Sequence, residues 1–128
     1  MFSKYLNRIK VSHNELSIMR NYEYDSWNKI ENGQVKLNTY YKNERIAFVS
    51  FRSFTGQIGL IDVDEKYRRQ GIAISMLKLV EKDMMQNSVN KIWAICSFGH
   101  YFWSVQTGYT FEDRPHNSVT GSGYSKQL

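Results

Sequence analysis

The sequence is poor in cysteine, with Cys96 alone among 128 residues. A single cysteine excludes a disulfide within the chain. The three histidines, His13, His100 and His116, lie far apart and share no metal-ligand spacing with Cys96. We therefore expect no structural metal. Cys96 ends an apolar run that begins at Ile92, so we expect its thiol to be buried in the core.

Long apolar runs are also missing. No run approaches the ~18–20 residues that a membrane-spanning helix needs, and Met1–Lys10 lacks the apolar segment of a signal peptide. A hydrophobic fraction of 41% and an aromatic fraction of 15% nevertheless supply enough core-forming residues for a folded chain. We expect one cytoplasmic domain over residues 1–128, without membrane contact.

Positive charge exceeds negative charge, and the formal net charge is +5. Such a balance suits an anionic partner: a nucleotide-like cofactor, nucleic acid or an acidic protein. Charge of this size does not choose among the three, so the choice depends on motifs.

The segment Val63–Ala73 joins a strand-like run to a helical pattern through a basic, glycine-containing turn. The first peptide N–H groups of a helix have no partner within it and can donate to an anion. Gly71 lacks a Cβ, so a ligand can approach the backbone there. Arg68 and Arg69 add donors suited to phosphate oxygens. The segment therefore predicts a phosphate-binding loop.

Periodicity predicts a series of strands and helices. The predicted strands are Val35–Tyr41, Ile46–Phe51, Ile58–Val63, Lys91–Cys96, a strand that begins at Tyr109–Phe111, and Tyr124–Leu128. A long helix follows Gly71 and runs to about Gln86, on an apolar stripe of Ala73, Met76, Leu77, Val80 and Met84. Lys78, Glu81, Lys82 and Gln86 fall on its solvated side. A short helix is predicted over Tyr101–Thr107 with Gly108 as its cap. Leu16–Trp27 is interpreted as helical on weaker periodicity, with Ile18, Met19, Tyr22 and Trp27 as its buried positions, and Asn32-Gly33 is a turn signal.

The strand, helix and strand around the phosphate-binding loop predict a crossover unit in which the two strands pair in parallel. Within this unit, Arg68-x-x-Gly71-x-Ala73 resembles the acyl-CoA pyrophosphate loop of the GNAT N-acetyltransferases, written Arg/Gln-x-x-Gly-x-Gly/Ala. The lead-in resembles the family's Val-x-Pro-x-Tyr-Arg, with Glu65 in place of proline. Trp103–Tyr109 is similar to the family's Phe-Tyr-x-x-x-Gly-Phe segment.

The resemblance extends from about Val35 to Leu128 and implies the GNAT fold. This is an α/β (α+β) fold with a mixed central sheet of about six to seven strands and flanking helices, here with a shortened N-terminal helical region. It also implies an N-acetyltransferase that moves an acetyl group from acetyl-CoA directly to a primary amine. The acceptor, a small molecule or a protein, stays open because the N-terminal helices that commonly shape its pocket are reduced.

The same resemblance assigns site residues. The cofactor-binding residues that it implies are Ile61, Val63, Arg68, Arg69, Gln70, Gly71, Ile72 and Ala73. The first two lie in the strand that pairs with the pantetheine arm in this family, and the others form the pyrophosphate loop.

Three residues are candidates for catalysis. Ser104 occupies the position, four residues before Gly108, at which the family often has the tyrosine that protonates the leaving thiolate. Tyr101, one helical turn earlier, could substitute, or it could pack on the core. Asp62 is the only carboxylate in the strand before the loop, and it is either the general base or an exposed or paired strand-end carboxylate.

Two alternatives to an enzyme remain at this point. The serine at position 104 also suits a catalytically weak or inactive GNAT-fold protein that binds CoA or regulates a partner. Ala47–Phe51 imitates the end of an RNA-recognition motif, but Glu44–Ile46 lacks the basic, glycine and aromatic opening, which argues against nucleic acid. We expect the aromatics of the final segment to be exposed, where they could support a homodimer.

Overall fold

A computed structural model of the chain describes residues 8–23, 34–96, 101–117 and 119–128. In these ranges seven strands form one sheet, in the order β1-β2-β3-β4-β5-β7-β6. The strands are β1 (Ser17–Glu23), β2 (Gln34–Tyr41), β3 (Glu44–Phe51), β4 (Gln57–Val63), β5 (Lys91–Ile95), β6 (Thr110–Glu112) and β7 (Gly123–Gln127). The helical elements are α1 (Ile72–Gln86), a π-helix (Tyr101–Gln106) and 3₁₀ turns at His13–Glu15 and Glu65–Tyr67.

The sheet is mixed, as the sequence predicts. Strands β1 to β4 form an antiparallel meander. On the other side of the sheet, β7 pairs antiparallel with both β5 and β6. Between the two groups, β4 pairs in parallel with β5, and α1 forms the connection. The predicted crossover is therefore confirmed. In the described ranges no helix is both long enough and apolar enough to cross a lipid bilayer.

The apolar stripe of α1 covers one face of the sheet. Met76, Leu77, Val80 and Met84 are at most 2% exposed and belong to one core with Val49 and the other inward-facing residues of the meander. Each such side chain contributes roughly 1.5–3 kcal/mol through burial. Because α1 begins at the predicted phosphate-binding loop, Arg68–Ala73, this packing fixes the position of the loop against β4.

The N-terminal helix predicted for Leu16–Trp27 is wrong over residues 17–23, which form β1. This strand pairs antiparallel with β2, from Ser17↔Tyr40 to Glu23↔Gln34. Ile18, Met19 and Tyr22, interpreted as buried helical positions, are exposed on the strand. The ladder offered by β2 outweighs the weak helical periodicity, because strand formation depends on a partner far away in the sequence. Trp27 and the turn signal Asn32-Gly33 lie outside the described residues.

Cys96 directly follows β5 and is half-buried, with its side chain packed against the core. The expected core thiol is therefore only partly enclosed. The final segment is also mixed in exposure: Phe111 is 47% exposed, whereas Tyr109 and Tyr124 are buried. The aromatic residues of this segment thus serve the core more than the surface.

Thr39 is fully buried, and its Oγ1 has no hydrogen-bond partner among the described residues. A buried polar group without a partner costs about 1–3 kcal/mol. Valine has nearly the same shape without the hydroxyl, so we expect Thr39→Val to raise the free energy of unfolding by about 1 kcal/mol, measured by urea denaturation.

Thr107→Val is the control for this substitution. The Thr107 hydroxyl donates to the Trp103 carbonyl at 2.7 Å, so its removal should lower stability. A loss of stability in Thr39→Val would show that the Thr39 hydroxyl is satisfied.

Glu81 lies in α1 and is predicted to be solvated, but its side chain is half-buried against the C-terminal part of the sheet. It accepts a hydrogen bond from the Tyr109 hydroxyl at 2.8 Å and pairs with Lys126 at 3.2 Å. Burial, followed by the charge and hydrogen bond of Glu81, raises the pKa of Tyr109 well above its ordinary value of 10.0. The helix and the C-terminal hairpin are thus joined by a polar contact as well as by apolar packing.

This pKa shift predicts a loss of stability in alkali. In the unfolded chain Tyr109 ionises from about pH 10, whereas in the folded chain it stays neutral, so the unfolded state gains from each further rise in pH. We expect the free energy of unfolding to fall above pH 10, and to fall less steeply in Tyr109→Phe. Denaturation curves between pH 8 and 11 measure both slopes, and equal slopes would contradict the assignment.

Candidate functional site

The site is a cleft that opens where β4 and β5 separate. Their parallel ladder contains two pairs, Gln57↔Trp93 and Ile58↔Ala94, and in the described residues β4 then continues to Val63 without β5 beside it. The cleft beyond this point has a volume of about 700 Å³. Its lining comes from β4, the loop, the first turn of α1 and the π-helix, and consists of Ile61, Asp62, Val63, Tyr67, Arg68, Arg69, Gly71, Ile72, Ala73, Ile74, Tyr101, Phe102 and Gln106.

The cleft edge of β4 presents peptide groups. The Asp64 N–H donates to the Ile46 carbonyl at 2.8 Å, and peptide groups in an antiparallel ladder alternate in direction. The N–H and C=O groups of Ile61 and Val63 therefore point away from β3, toward the cleft. The Val63 carbonyl accepts from Arg68 Nε at 2.7 Å. The other peptide groups of these two residues face the side on which a ligand would lie.

The phosphate-binding loop ends in a helix N-terminus that faces the cleft. Gly71 caps α1 with a φ of +79°, in the left-handed region that a Cβ makes unfavourable. The first helical hydrogen bond runs from the Ser75 N–H to the Gly71 carbonyl at 3.0 Å. The preceding N–H groups, those of residues 72–74, have no acceptor within the helix. All three of these residues line the cleft, so their N–H groups form a donor site for an anion.

Asp62 and Arg68 face each other in the open part of the cleft. Arg68 Nη2 lies 3.4 Å from Asp62 Oδ1, and both side chains are 52% exposed. An ion pair this exposed contributes only about 0–1 kcal/mol. The pair can therefore open at little cost, which would free the guanidinium for a phosphate and the carboxylate for a proton.

Tyr101 lines the cleft, whereas Ser104 does not. The reason is the winding of the helix that carries them. The Thr107 N–H donates to the Phe102 carbonyl, five residues earlier, at 3.0 Å, which is the hydrogen bond of a π-helix. Residues five apart, such as Tyr101 and Gln106, then share a face. In an α-helix, Ser104 would lie one turn after Tyr101, near the same face. The π-helical winding places the two side chains on different faces.

An aromatic cluster holds the π-helix against the sheet. Trp103 is 5% exposed, and its ring centroid lies 5.1 Å from that of Tyr109 and 6.1 Å from that of Tyr124. Gly108, predicted to end the helix, has a φ of +76° and allows the Tyr109 N–H to donate to the Trp103 carbonyl at 2.6 Å. The cluster leaves Tyr101 at the surface, 65% exposed.

Within Arg68–Ala73, the predicted pyrophosphate loop, Gln70 is the one residue that does not line the cleft. Its side chain turns to the opposite side and binds the backbone at Ile9 and Val11. The other predicted loop residues, together with Ile61 and Val63, are brought together in the cleft. Gln70 can contribute to a ligand site there only by shaping the loop.

Four lining residues are absent from the sequence prediction: Tyr67, Ile74, Phe102 and Gln106. Tyr67 and Ile74 flank the loop motif and could have been included with it. Burial, with Glu44, Tyr41 and Asp64 nearby, raises the pKa of Tyr67 above its ordinary value. Phe102 and Gln106 depend on the π-winding, for which the sequence holds no signal. Among the described residues no three His, Cys, Asp or Glu side chains lie together in a way that could hold a metal ion.

The donor set fits a phosphate-bearing ligand with an extended, amide-containing arm. Helical N–H groups and two arginines lie at one end of the cleft, and strand peptide groups lie along its wall. A Cβ added at Gly71 would meet no atom closer than 3.7 Å. The glycine is therefore needed for its φ angle, not for room within the protein.

The chain is similar to known acetyltransferases. The family model described as "Acetyltransferase (GNAT) family" matches residues 6–101. No curated protein matches the sequence. A GNAT family acetyltransferase from Elizabethkingia anophelis, solved with acetyl-CoA bound, is similar in structure with a TM-score of 0.64 at 15% identity, over 90% of this chain and 99% of that one.

Two further solved structures are similar. The PaiA N-acetyltransferase from Thermoplasma acidophilum, solved in complex with coenzyme A, has a TM-score of 0.62 at 16% identity, over 74% of this chain and 61% of that one. An acetyltransferase of the GNAT family from Staphylococcus aureus Mu50 has a TM-score of 0.61 at 17% identity, over 76% of this chain and 69% of that one. This chain thus spans less than two thirds of the Thermoplasma protein. At these identities the likeness shows the fold, and it confirms the predicted mixed sheet with flanking helices.

Proposed function

Because this chain belongs to the GNAT acetyltransferase family, we propose that it transfers an acetyl group from acetyl-CoA directly to a primary amine. One observation carries the proposal: the free edge of β4 leads into the N-terminus of α1 within a single cleft. The extended pantetheine arm of CoA needs a free strand edge, and the pyrophosphate that follows it needs a helix N-terminus next to that edge. The acceptor amine would enter the same cleft near Asp62.

The loop binds the pyrophosphate in this proposal. The N–H groups of Ile72, Ala73 and Ile74 donate to its oxygens, and Arg68 and Arg69 supply positive charge. Gly71 allows the backbone to come close. The low cost of opening the Asp62–Arg68 pair supports this role, because Nη2 of Arg68 then becomes available to a phosphate while Nε keeps its hydrogen bond to the Val63 carbonyl.

The edge of β4 binds the pantetheine arm. The free peptide groups of Ile61 and Val63 pair with its amides as they would with a neighbouring strand. Main-chain pairing of this kind places few demands on the side chains. It would hold the thioester beside β4, close to the groups proposed for proton transfer.

Two side chains carry the proton transfers. When bound, acetyl-CoA supplies a thioester whose carbonyl carbon is attacked by the amine, so that a C–N bond forms and the C–S bond breaks. Asp62 accepts the proton lost by the amine, directly or through a water molecule, and the Tyr101 hydroxyl donates a proton to the departing sulfur. Ser104, which does not line the cleft, has no direct contact with the reacting atoms in this scheme.

An acetyl-transfer assay tests the proposal. The protein is incubated with acetyl-CoA and four classes of amine: a small monoamine, a polyamine, a peptide with a free N-terminus, and a peptide with an internal lysine. We expect thiol release together with an acetylated product, identified by mass spectrometry, for at least one class. Reactions without protein and with Gly71→Asp serve as controls.

The second candidate is a GNAT-fold protein that binds CoA with little or no catalysis. Serine at position 104, where the family often has tyrosine, favours it. Saturable acetyl-CoA binding without product from any amine class would support this candidate and contradict acetyl transfer. Product formation would reject it.

A further inference from the structure

The segment Ile9–His13, here called the N-terminal strap, lies against the outer side of the phosphate-binding loop. We propose that the strap holds the loop in its binding conformation, and that Gln70 and His13 are therefore positioning residues for the pyrophosphate of acetyl-CoA. This inference rests on the proposed function. It assigns a role to two residues that do not line the cleft.

The Gln70 side chain joins the strap to the loop with both ends of its amide. Its Oε1 accepts from the Val11 N–H at 2.9 Å, and its Nε2 donates to the Ile9 carbonyl at 2.6 Å. Nε2 also lies 3.4 Å from the Tyr67 carbonyl. A neutral amide is needed here, because a carboxylate could accept from Val11 but could not donate to Ile9.

His13 holds the loop from the other end of the strap. Its Nε2 lies 2.6 Å from the Gln70 carbonyl, and because a carbonyl only accepts, Nε2 carries the hydrogen. In the neutral ring, Nδ1 then accepts from the Ser75 hydroxyl at 3.5 Å. The Ile9 N–H also donates to the Lys66 carbonyl at 2.7 Å. The strap thus touches the chain before the loop, within it and in the first turn of α1.

The backbone between these contacts is strained. Arg69 has a φ of +64°, and Gly71 has a φ of +79°. Glycine tolerates this region, but arginine does so only when its surroundings impose it. Gln70 lies between the two residues, with its side chain and its carbonyl both bound to the strap. The strap contacts are therefore placed to impose the turn that aims the N–H groups of residues 72–74 into the cleft.

Binding of CoA to Gln70→Ala and His13→Ala, measured by calorimetry, tests the proposal. We expect at least tenfold weaker affinity in each variant, with an unfolding temperature close to that of the wild type. Gln86→Ala, at the exposed C-terminal end of α1, is the matched control and should bind as the wild type does. Gln70→Glu should fail like Gln70→Ala, because the donor to the Ile9 carbonyl is lost.

A second measurement separates positioning from general stability. Saturating CoA should slow hydrogen exchange of the Val11 amide in the wild type, because a bound ligand stabilises the loop that Val11 contacts, and should not do so in Gln70→Ala. Affinities within twofold of the wild type, or no slowing at Val11, would overturn the strap proposal alone. A wild type that does not bind CoA would overturn the proposed function together with it.

Discussion

Gly71→Asp is expected to weaken acetyl-CoA binding by about 100-fold. Two effects combine. A side chain at a φ of +79° costs about 1–2 kcal/mol, so the free loop of the variant relaxes away from this turn and ligand binding must restore it. A carboxylate beside the pyrophosphate adds repulsion of about 1–2 kcal/mol at the partly solvated end of the cleft. Together they reach about 3 kcal/mol, which corresponds to roughly two powers of ten in the dissociation constant. Calorimetric titration measures the change.

Gly108→Asp is the matched control for this substitution. Gly108 has a φ of +76°, and a Cβ added there would meet no atom within 4 Å. The variant therefore has the same backbone strain and the same new charge, but at a residue that does not line the cleft. Acetyl-CoA affinity should stay within about twofold of the wild type. Equal losses in the two variants would mean that strain alone, wherever it lies, explains the effect.

Tyr101→Phe is expected to lower kcat by about 100-fold while leaving acetyl-CoA affinity unchanged. The substitution removes the hydroxyl proposed to protonate the departing sulfur and keeps the ring. General acids typically contribute 10²- to 10⁴-fold, and the lower end applies because Tyr101 is 65% exposed and water can partly replace it. Steady-state kinetics with the acceptor identified by the amine assay, together with a binding titration, separate the two parameters.

Ser104→Ala distinguishes the two assignments of the acid. If the π-helix turns Ser104 away from the reacting atoms, this variant should retain kcat within about twofold of the wild type. Adding Ser104→Tyr to Tyr101→Phe should not restore activity, because position 104 does not line the cleft. A large loss in Ser104→Ala, with Tyr101→Phe fully active, would reverse the assignment.

The elements that the sequence predicts well show a local pattern of apolar and polar residues. The alternation of β2 to β4 and the apolar stripe of α1 are local patterns, and the structure reproduces their bounds to within one or two residues. The motif from Arg68 to Ala73 located the loop in the same way, because its glycine and its arginines are read directly from the chain. The cleft residues of β4 could be predicted from the sequence because β4 directly precedes the loop.

The elements that the sequence predicts poorly depend on partners or windings that no local pattern records. Strand β1 exists because β2 offers its edge, so helical periodicity was misleading there. The displacement of Ser104 follows from the π-helical winding of Tyr101–Gln106, which the residue types from Tyr101 to Thr107 do not encode. Gln70 was interpreted as part of the ligand site, because its partners in the strap lie 59 and 61 residues away in the sequence.

The most direct test of the central claim is a calorimetric titration of the unmodified protein with acetyl-CoA. If the loop and the free edge of β4 form a binding site, the titration should saturate at one molecule per chain, with a dissociation constant between about 1 μM and 1 mM, the range in which the KM values of enzymes usually lie. The absence of saturable binding up to several times the upper limit of that range would contradict the assignment of the cleft.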